Sequence, residues 1–358
     1  MKIVLYSDIQ FHPWREFSKV LSNGRNSRFE DQLNVQDEIF EYAISSNADV
    51  LIHNGDLFEA LTEKIDKATF LEVFSRFVEF SKNGIVVLLL VGNHDWLDRT
   101  ETSHILEPFK EIENLFVVDT PRIEVIEDVY LAFVPSTRTN FKEKVKSVLY
   151  NSSRLLRPEG ELKHKYLFTH QDVEGVKVGP RDMSLKFKYT TQDFYPQEFD
   201  LVFNGHFHKP QLILDNFIIV GSSLQKDFGE RNDDKGFWFL DTKEGPDAPL
   251  FVETSGPKFF KINVDKENYE KNGLKANLPP NFTDKDFLWV ITDAPIAESV
   301  SDRIRLDIQS EKEFRIRSDI NINMAVSDQL KHYIKLKNPN LDQEKLFQIG
   351  LEKYKLSI

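Results

Sequence analysis

The chain has 358 residues, 40% of them hydrophobic and 29% charged, with a net charge of −12 and no cysteine. That length accommodates roughly two or three domains and at least one large core, and the lack of cysteine excludes disulfides and thiolate metal sites and fits a reducing cytoplasm. No apolar run reaches the ~18 residues a membrane span requires, so no membrane partner is expected, and the opening Met1 to Tyr6 is too soon polar for a secretory signal.

Read in chain order, Ile3 to Tyr6 predicts a buried first strand. A helix near Val35 to Ser46 buries Ile39, Phe40, Ala43 and Ile44 on one face, and a second strand follows at Asp49 to His53. Asp66 can cap a helix through Lys82 that carries Phe70, Phe74, Phe77 and Val78 on one face. Ile85 to Val91 is a continuous apolar run, typical of a strand buried on both faces. Further strands are expected at Tyr130 to Val134, Lys165 to Thr169, Leu201 to Asn204, Phe217 to Val220 and Phe237 to Asp241. Strand–helix alternation that gives way to successive short strands points to a layered α/β sandwich over residues 1–245.

Residues 243–249 hold Gly245, Pro246 and Pro249 and read as a linker. Strand candidates at Phe259 to Val264, Phe287 to Thr292 and Arg303 to Ile308 suggest a small α+β domain over 250–320. Residues 321–358 turn helical, with Leu330, Tyr333 and Ile334 on one amphipathic segment and Leu346, Ile349, Leu351 and Tyr354 on the next. Such a pair reads equally as a terminal hairpin packed on its own domain or as a docking element for a partner.

Polar residues cluster just after five of the predicted strands, where open α/β sheets place their ligands. They are Ser7-Asp8-Ile9-Gln10-Phe11-His12, Gly55-Asp56-Leu57-Phe58-Glu59, Gly92-Asn93-His94-Asp95, Thr169-His170 and Gly205-His206-Phe207-His208. Singly each is modest: a Gly-Asp pair is more often a turn, and a lone histidine is usually hydrogen-bonded structure. The alternating pair His206 and His208 is stronger, because an extended segment points both imidazoles to one side. Together the set suits two divalent cations. Asp56 can bridge both, Asp8 and His208 serve one, and Asn93, His170 and His206 complete the other. Oxygen and imidazole donors without thiolate suit Mn²⁺, Fe or Zn²⁺, and two such ions ~3.5–4 Å apart can activate water against a phosphorus atom. His94 is placed to protonate the leaving oxygen, the competing reading being support of a neighbouring ligand. Asp95 either orients His94 or caps the following segment. The acidic balance argues against a broad nucleic-acid footprint, although two basic stretches exist, one of Arg138, Lys142, Lys144 and Lys146, the other of Lys177, Arg181, Lys186 and Lys188.

The series Asp8, Asp56, Asn93-His94-Asp95, His170 and Gly205-His206-Phe207-His208 resembles the signature of calcineurin-like metallophosphoesterases, in the family's order. Gly205 through Gln211, Gly221-Ser222-Ser223, Phe228-Gly229-Glu230 and Lys235-Gly236-Phe237 are similar to the SbcD/Mre-type nuclease subunits of double-strand-break repair, bacteriophage members included. The resemblance implies a four-layer α/β/β/α sandwich, a small α+β capping domain, and a C-terminal helical element that docks on an SbcC-like coiled-coil ATPase. It also implies a Mn²⁺-dependent exo- or endonuclease acting on DNA in the cytoplasm, or the host cytoplasm for a phage protein. By the family's pattern one metal takes Asp8, residue 10, Asp56 and His208, and the other Asp56, Asn93, His170 and His206. One departure stands out: Gln10 occupies the position of a family histidine, leaving Gln10 or His12 as the ligand there. Glu59 stands where some relatives carry a histidine, and no role is assigned to it. Relatives pair through helices of the catalytic domain, so the Phe70/Phe74/Phe77 face is a homodimer candidate, with core as the competing reading. Two other functions stay open: a small-molecule phosphodiesterase or phosphatase, and a non-catalytic module whose metal site has decayed at Gln10. The count of 30 phenylalanines has no explanation at the level of sequence.

Overall fold

A computed structural model describes residues 1–98, 100–152, 162–179, 183–184, 187–243, 249–293, 302–308, 326–337 and 342–354. It divides into two units, one of residues 1–260 with 282–287, the other of 261–281 with 288–358. The expected linker falls largely on 244–248, outside the described residues.

The first unit is built on two six-stranded sheets. In chain order the strands are β1 (Lys2–Tyr6), β2 (Val50–His53), β3 (Val86–Leu90), β4 (Leu115–Val118), β5 (Arg122–Ile126), β6 (Val129–Val134), β7 (His164–Thr169), β8 (Lys177–Val178), β9 (Met183–Ser184), β10 (Leu201–Asn204), β11 (Gln211–Leu214), β12 (Phe217–Ile219), β13 (Gly236–Asp241) and β14 (Leu250–Glu253). One sheet runs β14-β13-β1-β2-β3-β4 and the other β11-β12-β10-β7-β6-β5; β8 and β9 form a separate two-stranded ladder. β1 to β4 are parallel, as are β6, β7, β10 and β12, while the sheet edges are antiparallel, except at β4.

Side-chain alternation along these strands sorts the core into three layers. Ile3, Leu5, Ile52, Leu88 and Leu90 meet Leu131, Phe133, Phe168, Phe203 and Ile218 between the sheets. Val4, Tyr6, Leu51, Val87 and Leu89 face outward onto helices α1 (Ser27–Ser45) and α2 (Lys67–Ser81). Tyr130, Ala132, Leu167 and Val202 do the same on the opposite side, where α3 (Phe141–Ser152) covers them. The result is the expected four-layer α/β/β/α order. α1 begins eight residues before the predicted start, because Asn26 caps it by accepting from the Arg28 and Phe29 amides. Asp66 caps α2 as expected. The Phe70/Phe74/Phe77 face is core: Phe77 is fully buried, and Phe70, Phe74 and Phe77 each have a ring against Phe109.

The second unit carries a three-stranded sheet ordered β15 (Phe259–Val264), β16 (Phe287–Thr292), β17 (Ile304–Ile308), the last two parallel. It also holds a short helix at Lys266–Asn272. Helices Val326–Lys337 and Gln343–Tyr354 pack on each other through Ile334 and Phe347, with Leu330 and Leu346 beside them. No described helix is long and apolar enough to cross a membrane.

Candidate metal centre

Register brings the parallel strands to a common finish. Tyr6 pairs with His53 and His53 with Leu89 in one sheet, and Thr169 with Asn204 in the other. The residues that follow therefore emerge side by side: Asp8 after β1, Asp56 after β2, Asn93 and His94 after β3, His170 after β7, His206 and His208 after β10. The two sheets are tied at this end by Asn54 Nδ2, which donates to the Thr169 carbonyl at 2.8 Å.

The turns are strained. Asp8, Gln10, Asp56 and His206 have left-handed backbone, at φ of 55°, 50°, 59° and 79°, a conformation that costs a non-glycine residue of order 1–3 kcal/mol and collects at functional sites. Bonds between the loops hold them. The Asp8 amide donates to the Gly55 carbonyl (3.0 Å), Gln10 to that of Asp56 (3.0 Å), His94 to Asp56 Oδ1 (2.8 Å) and His206 to Asp8 Oδ2 (3.1 Å). Two glycines permit the close approach. A Cβ at Gly55, where φ is +98°, would lie 2.2 Å from His170 Nδ1, and one at Gly92 would lie 2.2 Å from Asp56 Oδ1.

Asp56, His170 and His206 each present one ligand atom, all within 4.8 Å of one another. His170 Nε2 lies 3.2 Å from Asp56 Oδ2 and 3.1 Å from Asn93 Oδ1, and His206 Nδ1 lies 2.7 Å from Asn93 Oδ1. His170 Nδ1–H donates to the Asn54 carbonyl at 2.8 Å, so Nε2 is the atom that faces the centre. Burial works against a charge on His170, but Asp56 and Asp8 outweigh it and hold the imidazole at about 9. Asp56, although buried, is held far below the usual carboxylate range by His170 and His94. His206 is pushed down to about 4 by burial and by the charge on His170. Asp8 Oδ1 is buried without a hydrogen-bond partner among the described residues, 3.9 Å from both His170 Nε2 and His208 Nε2. A buried carboxylate oxygen without a donor is costly, and a cation bound here would supply the countercharge that His170 otherwise provides by taking a proton. The donors Asp56, Asn93, His170 and His206 thus fit a divalent transition ion.

The other half of the expected set is differently arranged. Gln10 Nε2 donates to Asp56 Oδ2 at 3.1 Å, and its carboxamide oxygen, expected to reach a cation, accepts from Lys226 Nζ at 2.6 Å. The same ammonium lies 3.1 Å from His208 Nε2. His12 turns its Nδ1 to the Gln10 carbonyl and packs its ring against Trp14. Lys226 follows β12, inside the segment whose glycines and Glu230 carried the SbcD/Mre-type resemblance, and sequence offers no sign of it. Which lysine is drawn inward depends on tertiary packing.

His94 donates from Nδ1 to Glu59 Oε1 at 2.6 Å, and its Nε2 lies 4.0 Å from Asp56 Oδ2. Burial lowers its basicity, but Glu59 and Asp56 reverse this and leave the pKa raised. The orienting role expected of Asp95 therefore belongs to Glu59, to which sequence assigned nothing. Asp95 accepts from three backbone amides, those of Asp56 (2.9 Å), Gly92 (2.8 Å) and Phe58 (2.9 Å), and so locks two of the loops together. Next to Asn93 and His206 opens a cavity of about 280 Å³ bounded by Trp96, Thr137, Arg138 and Lys188. Of the other basic residues, Lys142 pairs with Asp193 and Lys144 donates to Thr137, while Arg181 and Lys186 lie outside the described residues.

The calcineurin-like phosphoesterase family model matches residues 1–210. The chain is 26% identical over 228 residues to a putative phosphoesterase, 244L, of Invertebrate iridescent virus 6, covering 62% of this chain and 75% of that one. It is 28% identical over 245 residues to the DNA double-strand break repair protein Mre11 of Sulfurisphaera tokodaii (66% of this chain, 58% of that protein). It is 24% identical over 265 residues to a subunit of the SbcCD nuclease of Staphylococcus saprophyticus, covering 69% of each. With converging strand-end loops, a cation-ready donor set and a family match over more than half its length, the chain belongs to the calcineurin-like phosphoesterases, a metal-dependent family that uses a dinuclear divalent site.

Proposed function

We propose that this chain is a Mn²⁺-dependent DNA nuclease of the SbcD/Mre type, the phosphodiesterase subunit of a pair completed by an SbcC-like coiled-coil ATPase. The observation that carries the reading is the gathering of Asp56, Asn93, His170 and His206 at one point beside His94, with Asp8 and His208 next to it. The names of two relatives, a double-strand-break repair protein and an SbcCD nuclease component, support the choice of DNA. Division into a catalytic domain (1–245), a capping domain (250–320) and an ATPase-docking helical element (321–358) is part of the proposal. Tyr333 and Ile349, half-exposed on the two terminal helices, suit that docking role.

Asp56, Asn93, His170 and His206 would hold the cation, which when bound would supply Lewis acidity toward water and phosphate oxygens. The remaining work falls to the chain. Asn54 fixes the tautomer of His170. Asp95 holds the Asp56 and Gly92 loops at their spacing. His94, whose basicity Glu59 and Asp56 raise against the effect of burial, delivers a proton to the leaving oxygen. Arg138 and Lys188, at the rim of the adjoining cavity, attract the flanking phosphates.

The purified protein with Mn²⁺ is expected to degrade linear duplex or single-stranded DNA, alone or with a copurifying ATPase. His94→Ala should lower cleavage about 10²–10⁴-fold while leaving metal content unchanged. Intact DNA in the presence of Mn²⁺ and the ATPase would reject the reading. A second reading, a small-molecule phosphodiesterase, draws support from the net charge of −12. Rapid turnover of cyclic nucleotides or aryl phosphodiesters without DNA cleavage would decide for it.

A further inference from the structure

We infer that the ammonium of Lys226 occupies the second cation position, so that the centre binds one metal ion per chain instead of two. The inference rests on the metal-centre reading above and on how tightly this lysine is built in. Its side chain is buried, and Nζ lies 2.6 Å from Gln10 Oε1 and 3.1 Å from His208 Nε2, the two atoms that would otherwise face a second ion beside Asp8.

Both acceptors are oriented for a cationic donor. Gln10 donates from Nε2 to Asp56, which turns Oε1 toward the lysine. His208 donates from Nδ1 to Glu230 at 2.6 Å, which leaves the Nε2 lone pair for an N–H of Lys226. Histidine at position 10 would present a nitrogen where the amide now bonds both Lys226 and Asp56. The glutamine, the one departure from the family's ligand pattern, and the lysine thus form a matched pair.

The lysine is also held from behind. Its amide donates to Glu230 Oε2 at 2.9 Å, and its carbonyl accepts from Arg28 Nη2 at 2.5 Å. Glu230 is in turn paired with Lys235 at 3.1 Å, and the Arg28 guanidinium lies 4.2 Å from the Trp14 ring centre. These bonds fix the backbone of Lys226, so withdrawing its ammonium to admit a second ion would forfeit the contacts to Gln10 and His208 and leave the charge to find new partners in a buried setting, a costly exchange. Asp8 and Asp56 then share one divalent ion and one ammonium, where two divalent ions would otherwise sit.

The test is metal stoichiometry. The full-length protein is loaded with Mn²⁺, desalted and counted by elemental analysis, with the electron paramagnetic resonance spectrum recorded. One Mn²⁺ per chain with the six-line signal of an isolated ion is expected for wild type and for Gln10→His alone. Two per chain with an exchange-coupled spectrum are expected for Gln10→His combined with Lys226→Met, checked for fold by circular dichroism. Two coupled ions in wild type, or a second ion gained by Gln10→His alone, would overturn the inference while leaving the metal centre intact. A folded double variant that still holds one ion would also overturn it. No ion in wild type would overturn the metal-centre reading and this inference with it. Should the double variant not fold, the wild-type and Gln10→His counts still decide.

Discussion

Glu59 and His53 show how single residues near the centre divide their tasks. Glu59 touches His94 alone among the site imidazoles and also accepts from Thr62 at 2.6 Å, so it is a positioning residue. Glu59→Gln is expected to lower kcat about 10–100-fold, the range typical of an outer partner of a working histidine, with KM and Mn²⁺ content unchanged. Steady-state kinetics with metal analysis check this, and a change confined to KM would refute the positioning role. His53 lies fully buried against Tyr6, and neither ring nitrogen has a partner among the described residues. Burial, aided by the charge on His170, pushes it from the ordinary 6.5 down to about 3. The unfolded chain therefore takes up a proton that the fold refuses, and stability present above pH 6.5 is lost as pH falls toward 3. His53→Leu should flatten that loss. Urea titrations of the metal-free protein at pH 7 and pH 5 are expected to show a smaller drop for the variant, by about 1–2 kcal/mol.

At the scale of elements, α1 and α2 carry the outer core, and their ends are chemically specified. Asn26 accepts two amides at the start of α1, so Asn26→Ala should cost about 1 kcal/mol in a denaturation experiment. The aromatic face of α2 has a different lesson. Phe109 receives Phe58, Phe70, Phe74 and Phe77, and Phe40 receives Phe77 and Phe80. These clusters take up seven of the 30 phenylalanines, whose rings in edge and stacked contact fill the layer between helix and sheet. Phe77→Ala is expected to cost about 3–5 kcal/mol of stability without altering the sedimentation coefficient of the folded protein. A changed association state at unchanged stability would restore the dimer-face reading.

At the scale of the molecule, the ligands of the proposed ion come from both sheets: Asp56 and Asn93 from one, His170 and His206 from the other. An ion held there couples the two halves of the sandwich, so it stabilises the first unit as a whole. Saturation at about 100 times Kd should add about 2.7 kcal/mol and raise Tm in one cooperative transition, and chelation should reverse it. A calorimetric trace in which Mn²⁺ leaves Tm unchanged would count against ligands shared between the sheets.

Much of this protein is legible in one dimension because the signals are local. The continuous apolar run at Ile85 to Val91, the cap at Asp66 and the apolar stretch Leu201 to Asn204 depend on neighbours a few residues away, and β3, α2 and β10 fall there. Edge strands such as β11 and β14 escape such a reading, since half-exposed strands lack that contrast. The polar clusters after five strands are visible for the same local reason. What they touch is not. Glu59 rather than Asp95 meets His94, and Lys226 meets Gln10 across 216 positions of chain. Sequence determines which groups stand at the strand ends, whereas tertiary structure decides which become partners: strand order within one sheet for Glu59 and His94, and the packing of one sheet on the other for Gln10 and Lys226. Charge and hydrogen bonding act over a few ångströms of space, and distance along the chain does not report that.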